Sequence, residues 1–433
     1  MMLLSIWEAR HSLISINPIS QFLAMFNCFQ KRGRRNNRGK GASMSLRHFL
    51  IGLVVAVTLP SGIGHADDTT GVTKDTIKVG IFGPMTGSAA IFGKAIFGVE
   101  ALYRDVNDHG GIYGRKIELF REDSACDPAK GIAAIKKLIS QEQVFAINGG
   151  LCSNVVIAVK PEIAKAGVPY MVAGATSTAI TQPLLPTVFQ PLDTTAATTR
   201  DMVDFAMSKP GTTKIAFVSH SDDWGKSNHD PAIEHFKKAY KLDPVLDLTM
   251  ERGSTDTTPQ VLKIKNSGAQ VVVAMLYPAE TAIFLRDAFK FGLTIPVIGH
   301  QAASLEDTRN RVGNPAAVQN FYVGYAYAYA TNAPDMKKWA DLITKYYPNE
   351  RIENFSFLGM GGALAMIKAL KKAGPNLSRE KLIVALNSLR NFDTHLQATP
   401  ITFTPEDHVG MKGGAMVTFV NGNFTIVKKL QDK

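Results

Sequence analysis

From Thr76 onward the chain alternates short β-branched runs with amphipathic stretches, and no other feature narrows the possible folds as much. Ile77-Lys78-Val79-Gly80-Ile81-Phe82 reads as a strand that stops at Gly83-Pro84. Residues 91–107 then place Ile91, Ala95, Val99, Leu102 and Val106 on one helical stripe. Strands are predicted at 116–122, 144–148 and 169–173, and helices at 128–141, with Asp127 as its N-cap, and at 155–166. This order gives parallel sheets covered by helices on both faces. After FQPLDTTAATT the alternation restarts, with strands at 214–219, 270–275 and 296–299 and helices at 227–240 and 279–291. Length agrees: single cores stop growing near ~250–300 residues, and the chain has 433.

The end has another texture. Helices predicted at 335–347, 357–373 and 379–389 follow one another closely, and Asn421-Gly422-Asn423 signals a hairpin between strands at 415–420 and 424–428. Helices with so few strands between them must cover a sheet already built, so the chain is expected to return to its first lobe. The expected fold is α/β with two Rossmann-like lobes, 72–193 with 324–403 and 194–323 with 404–433.

Residues 1–66 read as a presequence. SLRHFLIGLVVAVTLPSGIGHA, at 45–66, has an arginine, a short apolar run and small residues ending at Ala66, the three parts of a secretory signal cleaved after Ala66. The apolar run falls short of the about 20 residues that span a bilayer. Met44, just ahead of it, is the expected true start; Arg34-Arg35 lacks the neighbours of a twin-arginine signal. Without this segment the formal charge falls from +11 to +4. A nucleic-acid partner therefore loses its main support.

An exported chain meets an oxidising compartment, and it keeps two cysteines, Cys126 and Cys152. A bridge between them is worth roughly 3–4 kcal/mol in the chain-entropy model; the alternative is two unrelated buried thiols. Neither has metal-site company, since there is no CxxC and no HExxH.

In open parallel sheets, ligands bind beyond the carboxyl ends of the strands. In the first half those ends read Gly83-Pro84-Met85-Thr86-Gly87-Ser88, Gly149-Gly150-Leu151-Cys152-Ser153-Asn154 and Gly174-Ala175-Thr176-Ser177. Bare N–H groups and hydroxyls of this kind suit a carboxylate; tight turning alone would explain any single loop. The second half offers Ser221-Asp222-Asp223-Trp224-Gly225, Leu276-Tyr277-Pro278 and His300-Gln301-Ala302. Trp224 and Tyr277 there either line an apolar pocket or pack on their own half.

Enzyme motifs are missing. No GxxxxGK[ST] or GxSxG occurs, and Gly110-Gly111-Ile112-Tyr113-Gly114 precedes a strand instead of following one. Ser378-Arg379-Glu380-Lys381 matches SxxK, yet it opens a helix, which makes Ser378 an N-cap.

Taken in order, IKVGIFGPMTGSAAIFG (77–93), NDHGGIYGRKIEL (107–119), EDSACDPAKG (122–131), GGLCSN (149–154), GVPYMVAGATS (167–177) and FTPEDHVG (403–410) resemble the leucine/isoleucine/valine-binding proteins, the type I periplasmic solute-binding proteins of ABC importers. The resemblance covers essentially the whole chain after the presequence. It implies two lobes joined by three crossings, a small-molecule ligand in the cleft between them, importer permease subunits as partners, a periplasmic monomer, and neither cofactor nor catalytic residue. It matches Cys126 and Cys152 to the family disulfide, and Ser153, Gly174 and Thr176 to the positions holding the α-carboxylate and α-amino groups of an amino acid. Phe92, Trp224 and Tyr277 match aromatic positions around the ligand. Amino-acid binders carry a carboxylate for the ligand ammonium where this chain has Gln301. Hydrophobic or aromatic carboxylates and small amides therefore stand beside branched-chain and other hydrophobic amino acids as expected ligands, and a ligand-sensing regulator is the more distant alternative.

Overall fold

The strand β1 (Thr76–Gly83) is buried on both faces past its first residues, as a strand between two helical layers must be. The computed structural model describes residues 68–430 apart from Ser88. The expected presequence, with its signal, its cleavage point and the alternative start, lies outside the described residues. With β2 (Lys116–Asp123), β3 (Ala146–Gly149), β4 (Tyr170–Val172) and β5 (Val188–Phe189), β1 forms a parallel five-stranded sheet in the order β2-β1-β3-β4-β5. The connecting helices are α1 (Ala90–Asp108), α2 (Pro128–Ser140) and α3 (Ser153–Ala166). Asp127 caps α2 by accepting the Lys130 N–H at 2.9 Å.

The second sheet repeats the plan. β6 (Ile215–His220), β7 (Leu246–Met250), β8 (Val271–Met275), β9 (Val297–Gly299) and β10 (Phe321–Tyr325) are parallel and follow the same strand order as the first five. Antiparallel β11 (Ala415–Val420) and β12 (Asn423–Lys429) extend it to seven strands beyond β10. Its helices are α4 (Thr195–Met207), α5 (Asp223–Tyr240), α6 (Thr258–Asn266), α7 (Pro278–Lys290) and α8 (Leu305–Val312).

From β10 the chain goes back. In α9 (Pro334–Tyr346), α10 (Met360–Ala373) and α11 (Arg379–Leu386) it builds a layer in which α9 and α10 pack against α1, and α10 against α11. Ser378 caps α11, accepting the Lys381 N–H at 3.3 Å, so the SxxK match is a helix start. The buried Arg379 guanidinium donates to the carbonyls of Val144, Phe145 and Ala166 and to the Asp68 carboxylate. That fastens α11 to the amino-terminal edge of the first sheet. Where the chain passes between the sheets its strands run side by side: Gly410 N–H donates to Gln190 O at 2.8 Å, Met411 N–H to Pro191 O at 2.9 Å, and Ala398 N–H to Ala326 O at 2.9 Å. Leu192, Ala326 and Met411 bury a small apolar cluster there.

The predicted elements are present with ends shifted by a few residues. The largest shift is at α5, which opens at Asp223 and not near Ser227, because Asp222 accepts the Gly225 N–H at 2.9 Å and so starts the helix early.

Candidate functional site

In a sheet ordered 2-1-3-4-5 the loops after β1 and β3 part in opposite directions and leave a crevice at the carboxyl edge. Both sheets have that order, and both crevices open onto one cavity of about 690 Å³. The structure brings Phe92, Ser153, Gly174, Thr176, Trp224, Tyr277 and Gln301 together on its wall, with Cys126 and Cys152 beside them.

The wall from the first sheet is polar at its base. Gly149-Gly150 turns the chain out of β3, and Gly150 must be glycine: its φ is 82°, and a Cβ there would sit 2.2 Å from the Tyr170 hydroxyl. The α3 helix then opens at Ser153 with Cys152 as N-cap and no side chain capping it, so its positive end points at the cavity. Ser153 Oγ accepts the Ser177 N–H at 3.4 Å and keeps its own proton to donate. Thr195 Oγ1 donates to the Thr176 carbonyl at 2.9 Å, which leaves the Thr176 hydroxyl as the donor in the 3.3 Å contact between the two hydroxyls. That bond is long, and an anionic acceptor in the cavity would outcompete it. At Gly174 an added Cβ would lie 2.7 Å from both Leu151 and Leu358, so a side chain at this point would push against two leucines of the cavity wall.

Cys126 and Cys152 form a disulfide across this base. Ala125 and Cys126 have φ of 46° and 61°, a region that costs roughly 1–2 kcal/mol per residue without glycine. Asp123 Oδ1 accepts the N–H groups of Ala125 and Met85, both at 2.8 Å, and with the disulfide it holds the loop in that shape.

The facing wall is aromatic. Trp224, in the first turn of α5, and Tyr277, ahead of α7, have ring centroids 4.3 Å apart. Across the cavity Tyr277 meets Phe92 edge-on at 5.4 Å, and Phe92 meets Phe355 at 4.8 Å. Arg252 lies over the Tyr277 ring with its guanidinium carbon 4.4 Å from the centroid, donates to the Tyr277 hydroxyl at 3.1 Å, and pairs through Nε with Asp222. Burial pushes the Tyr277 phenol up to about 12, against the pull of Arg252. Gln301, in a short turn after β9, has no hydrogen bond to its side-chain amide among the described residues.

Two buried histidines support this wall. His220 accepts the Tyr277 N–H on Nε2 at 3.1 Å, with its Nδ1 3.4 Å from the Met250 carbonyl. His300 accepts the Ala302 N–H on Nδ1 at 3.1 Å, so its proton sits on Nε2, and the ring stands edge-to-face with Trp224. Burial lowers both: His300 falls to about 4, and His220 also drops, although Glu280 opposes it. Both rings are therefore neutral in the fold, while an unfolded histidine titrates near 6.5. A base with a depressed folded pKa contributes stability that is fully present above about 6.5 and is lost as pH falls toward 4. For His300 the loss amounts to about 3 kcal/mol at about 1.4 kcal/mol per pKa unit. The melting temperature should fall over this window, and the His300→Asn variant should lose part of that slope; an equal slope in the variant would remove His300 as its cause.

Sequence reading missed Arg252 and the segments 324–327 and 354–358, which supply Tyr325, Tyr327, Phe355 and Leu358 to the cavity. Both Arg252 and Tyr325 follow or end strands that were not predicted. The signal was present: Leu246, Leu248 and Met250 alternate with polar residues, and Phe321-Tyr322-Val323 is a β-rich run.

Comparison with known proteins gives the same fold from outside. The periplasmic binding protein family model matches residues 76–423. The "Leu/Ile/Val-binding protein homolog 8" of Brucella abortus is 28% identical over 361 residues, 80% of this chain and 87% of that protein. Among solved structures, a fatty acid ABC transporter substrate-binding protein from Thermomonospora curvata superimposes with a TM-score of 0.73 at 26% identity, covering 85% of this chain and 95% of that one. An ABC transporter solute-binding protein from R. palustris in complex with 4-hydroxybenzoate gives 0.70 at 24% identity, with 83% and 98% covered. With a match over most of its length and two sheets of the type I order, the chain belongs to the periplasmic binding protein family, a family of solute-binding proteins and not of enzymes.

Proposed function

We propose that the protein captures a small hydrophobic carboxylate between two lobes and delivers it to the permease subunits of an ABC importer, working as a monomer in the periplasm once the presequence is removed. The lobes are 72–193 with 324–403 and 194–323 with 404–433, and no cofactor takes part. The observation that carries this reading is the division of the cavity: hydroxyls and a helix N-terminus on one wall, Trp224 and Tyr277 on the other. The ligand carboxylate docks on Ser153, Gly174 and Thr176, and closure brings Phe92, Tyr277, Trp224 and Gln301 around its apolar body. Contacts to both lobes stabilise the closed state over the open one, the condition for a ligand to shift that equilibrium.

A hydrophobic amino acid such as Leu, Ile or Val is one ligand of this kind. A second reading, an aromatic or other hydrophobic acid without an amino group, is favoured by Asp222: its carboxylate already caps α5 and pairs with Arg252, and Gln301 is neutral. An ammonium facing Gln301 would lack a charge-assisted hydrogen bond there, worth roughly 1.5–3 kcal/mol; Asp223 is the other carboxylate on the described cavity wall, at the exposed start of α5.

Thermal-shift titration of residues 67–433 with Leu, Val, Phe, benzoate and a hydroxycinnamate tests the reading, since a ligand of the folded state raises stability by RT ln(1 + [L]/Kd). Thr176→Val should weaken every carboxylate that binds, by roughly tenfold to a hundredfold if the hydroxyl meets the anion. Unchanged affinity would take Thr176 out of the site.

A further inference from the structure

The second wall holds a polar cluster that a purely hydrophobic ligand leaves idle. Arg252 carries five N–H donors in a fixed fork. One goes to the Tyr277 hydroxyl, and Nε faces Asp222 in an ion pair; among the described residues the N–H groups of the guanidinium have no other acceptor. The Tyr277 hydroxyl accepts from Arg252, and its own proton likewise finds no acceptor among the described residues. Asp222 is fixed in turn by the Gly225 N–H at 2.9 Å, so the guanidinium is aimed by a carboxylate that is itself part of a helix cap. Arg252, Asp222 and Tyr277 all line the cavity, on the wall opposite Ser153 and Thr176.

We infer that Arg252, aligned by Asp222 and Tyr277, reads an acceptor oxygen at the end of the ligand remote from its carboxylate. The ligand class is therefore an oxygen-substituted aromatic carboxylate, of the hydroxybenzoate or hydroxycinnamate kind, and this inference rests on the carboxylate-capture reading above. Two features converge on it. A distal hydroxyl or phenolate meets two kinds of unspent donor, the guanidinium N–H groups and the Tyr277 O–H. A flat ring between the two polar ends fits side chains that are themselves aromatic: Phe92, Trp224, Tyr277 and Phe355. An aliphatic side chain offers the Arg252 cluster no acceptor.

The discriminating measurement is the ratio of affinities for 4-hydroxybenzoate and benzoate, by calorimetry on residues 67–433 and on the Arg252→Met and Arg252→Lys variants. Arg252 is exposed, and without it Asp222 still caps α5, so the variants should fold. The unaltered protein should prefer 4-hydroxybenzoate. Arg252→Met should reduce that preference roughly tenfold or more, and Arg252→Lys, which keeps the charge but loses the fork, should fall between. A preference that survives Arg252→Met, or an unaltered protein that binds Leu and Val tightly and neither benzoate, overturns the inference while leaving carboxylate capture standing. If Thr176→Val and Ser153→Ala both leave the affinity of every ligand that does bind unchanged, carboxylate capture itself fails.

Discussion

Replacing Arg379 by methionine is expected to lower the unfolding free energy by about 3–5 kcal/mol, the scale for removing one partner from a buried charged network. The residue is 5% exposed, and its fork is spent on three backbone carbonyls and on Asp68. Methionine fills much of the volume and donates nothing, so the carbonyls of Val144, Phe145 and Ala166 lose a donor inside the protein. Urea denaturation should show a lower midpoint with an unchanged slope. These carbonyls lie at the amino-terminal edge of the first sheet, while the cavity lies at the carboxyl edge, so ligand affinity in the folded variant should stay as it was. A loss below about 1 kcal/mol would mean that water replaces the guanidinium without penalty.

The joint change Cys126→Ala and Cys152→Ala is expected to cost about 3–4 kcal/mol of stability through loop closure and, unlike Arg379→Met, to weaken ligand binding as well. The reason lies in the loop. Ala125 and Cys126 are held at positive φ, and without the bridge that segment is free to relax toward the right-handed region, taking the start of α3 and Ser153 with it. Titration of one carboxylate ligand against the oxidised protein and the double variant separates the two effects. Equal affinity with lower stability would show that Asp123 alone keeps the binding turn in shape.

Much of this architecture was legible in the linear order of residues because parallel strands buried on both faces leave continuous β-branched runs, such as 144–148 and 271–275, that no surface pattern imitates. Asp127 and Ser378 were legible as caps for a local reason: the hydrogen bond each makes spans three residues. β7 and β10 carry weaker signals: the alternation of β7 is only five residues long and partly exposed, and β10 runs straight into Ala326-Tyr327 with no turn signal. With them went Arg252 and Tyr325. The aromatic wall was legible in part: Trp224 and Tyr277 stand at predicted strand ends. Phe355 reaches the cavity from a short turn more than 250 residues away from Phe92 in sequence, a juxtaposition that only the tertiary return of the chain creates. The pairing of Arg252 with Asp222 belongs to the same class, since it joins two loops that follow neighbouring strands.

The helical layer over the first sheet has a consequence for the order in which the molecule can be completed. The strands β1 to β5 have all emerged by Phe189, yet α9, α10 and α11, which bury against α1 and the edge of that sheet, are not available until the seven-stranded sheet has all but its last two strands. A chain presented amino-terminus first therefore has no route to a finished first half standing alone; its apolar faces stay uncovered until most of the polypeptide is present. The two halves then mature together, and the binding cleft, assembled from both, is not the product of two prefabricated parts.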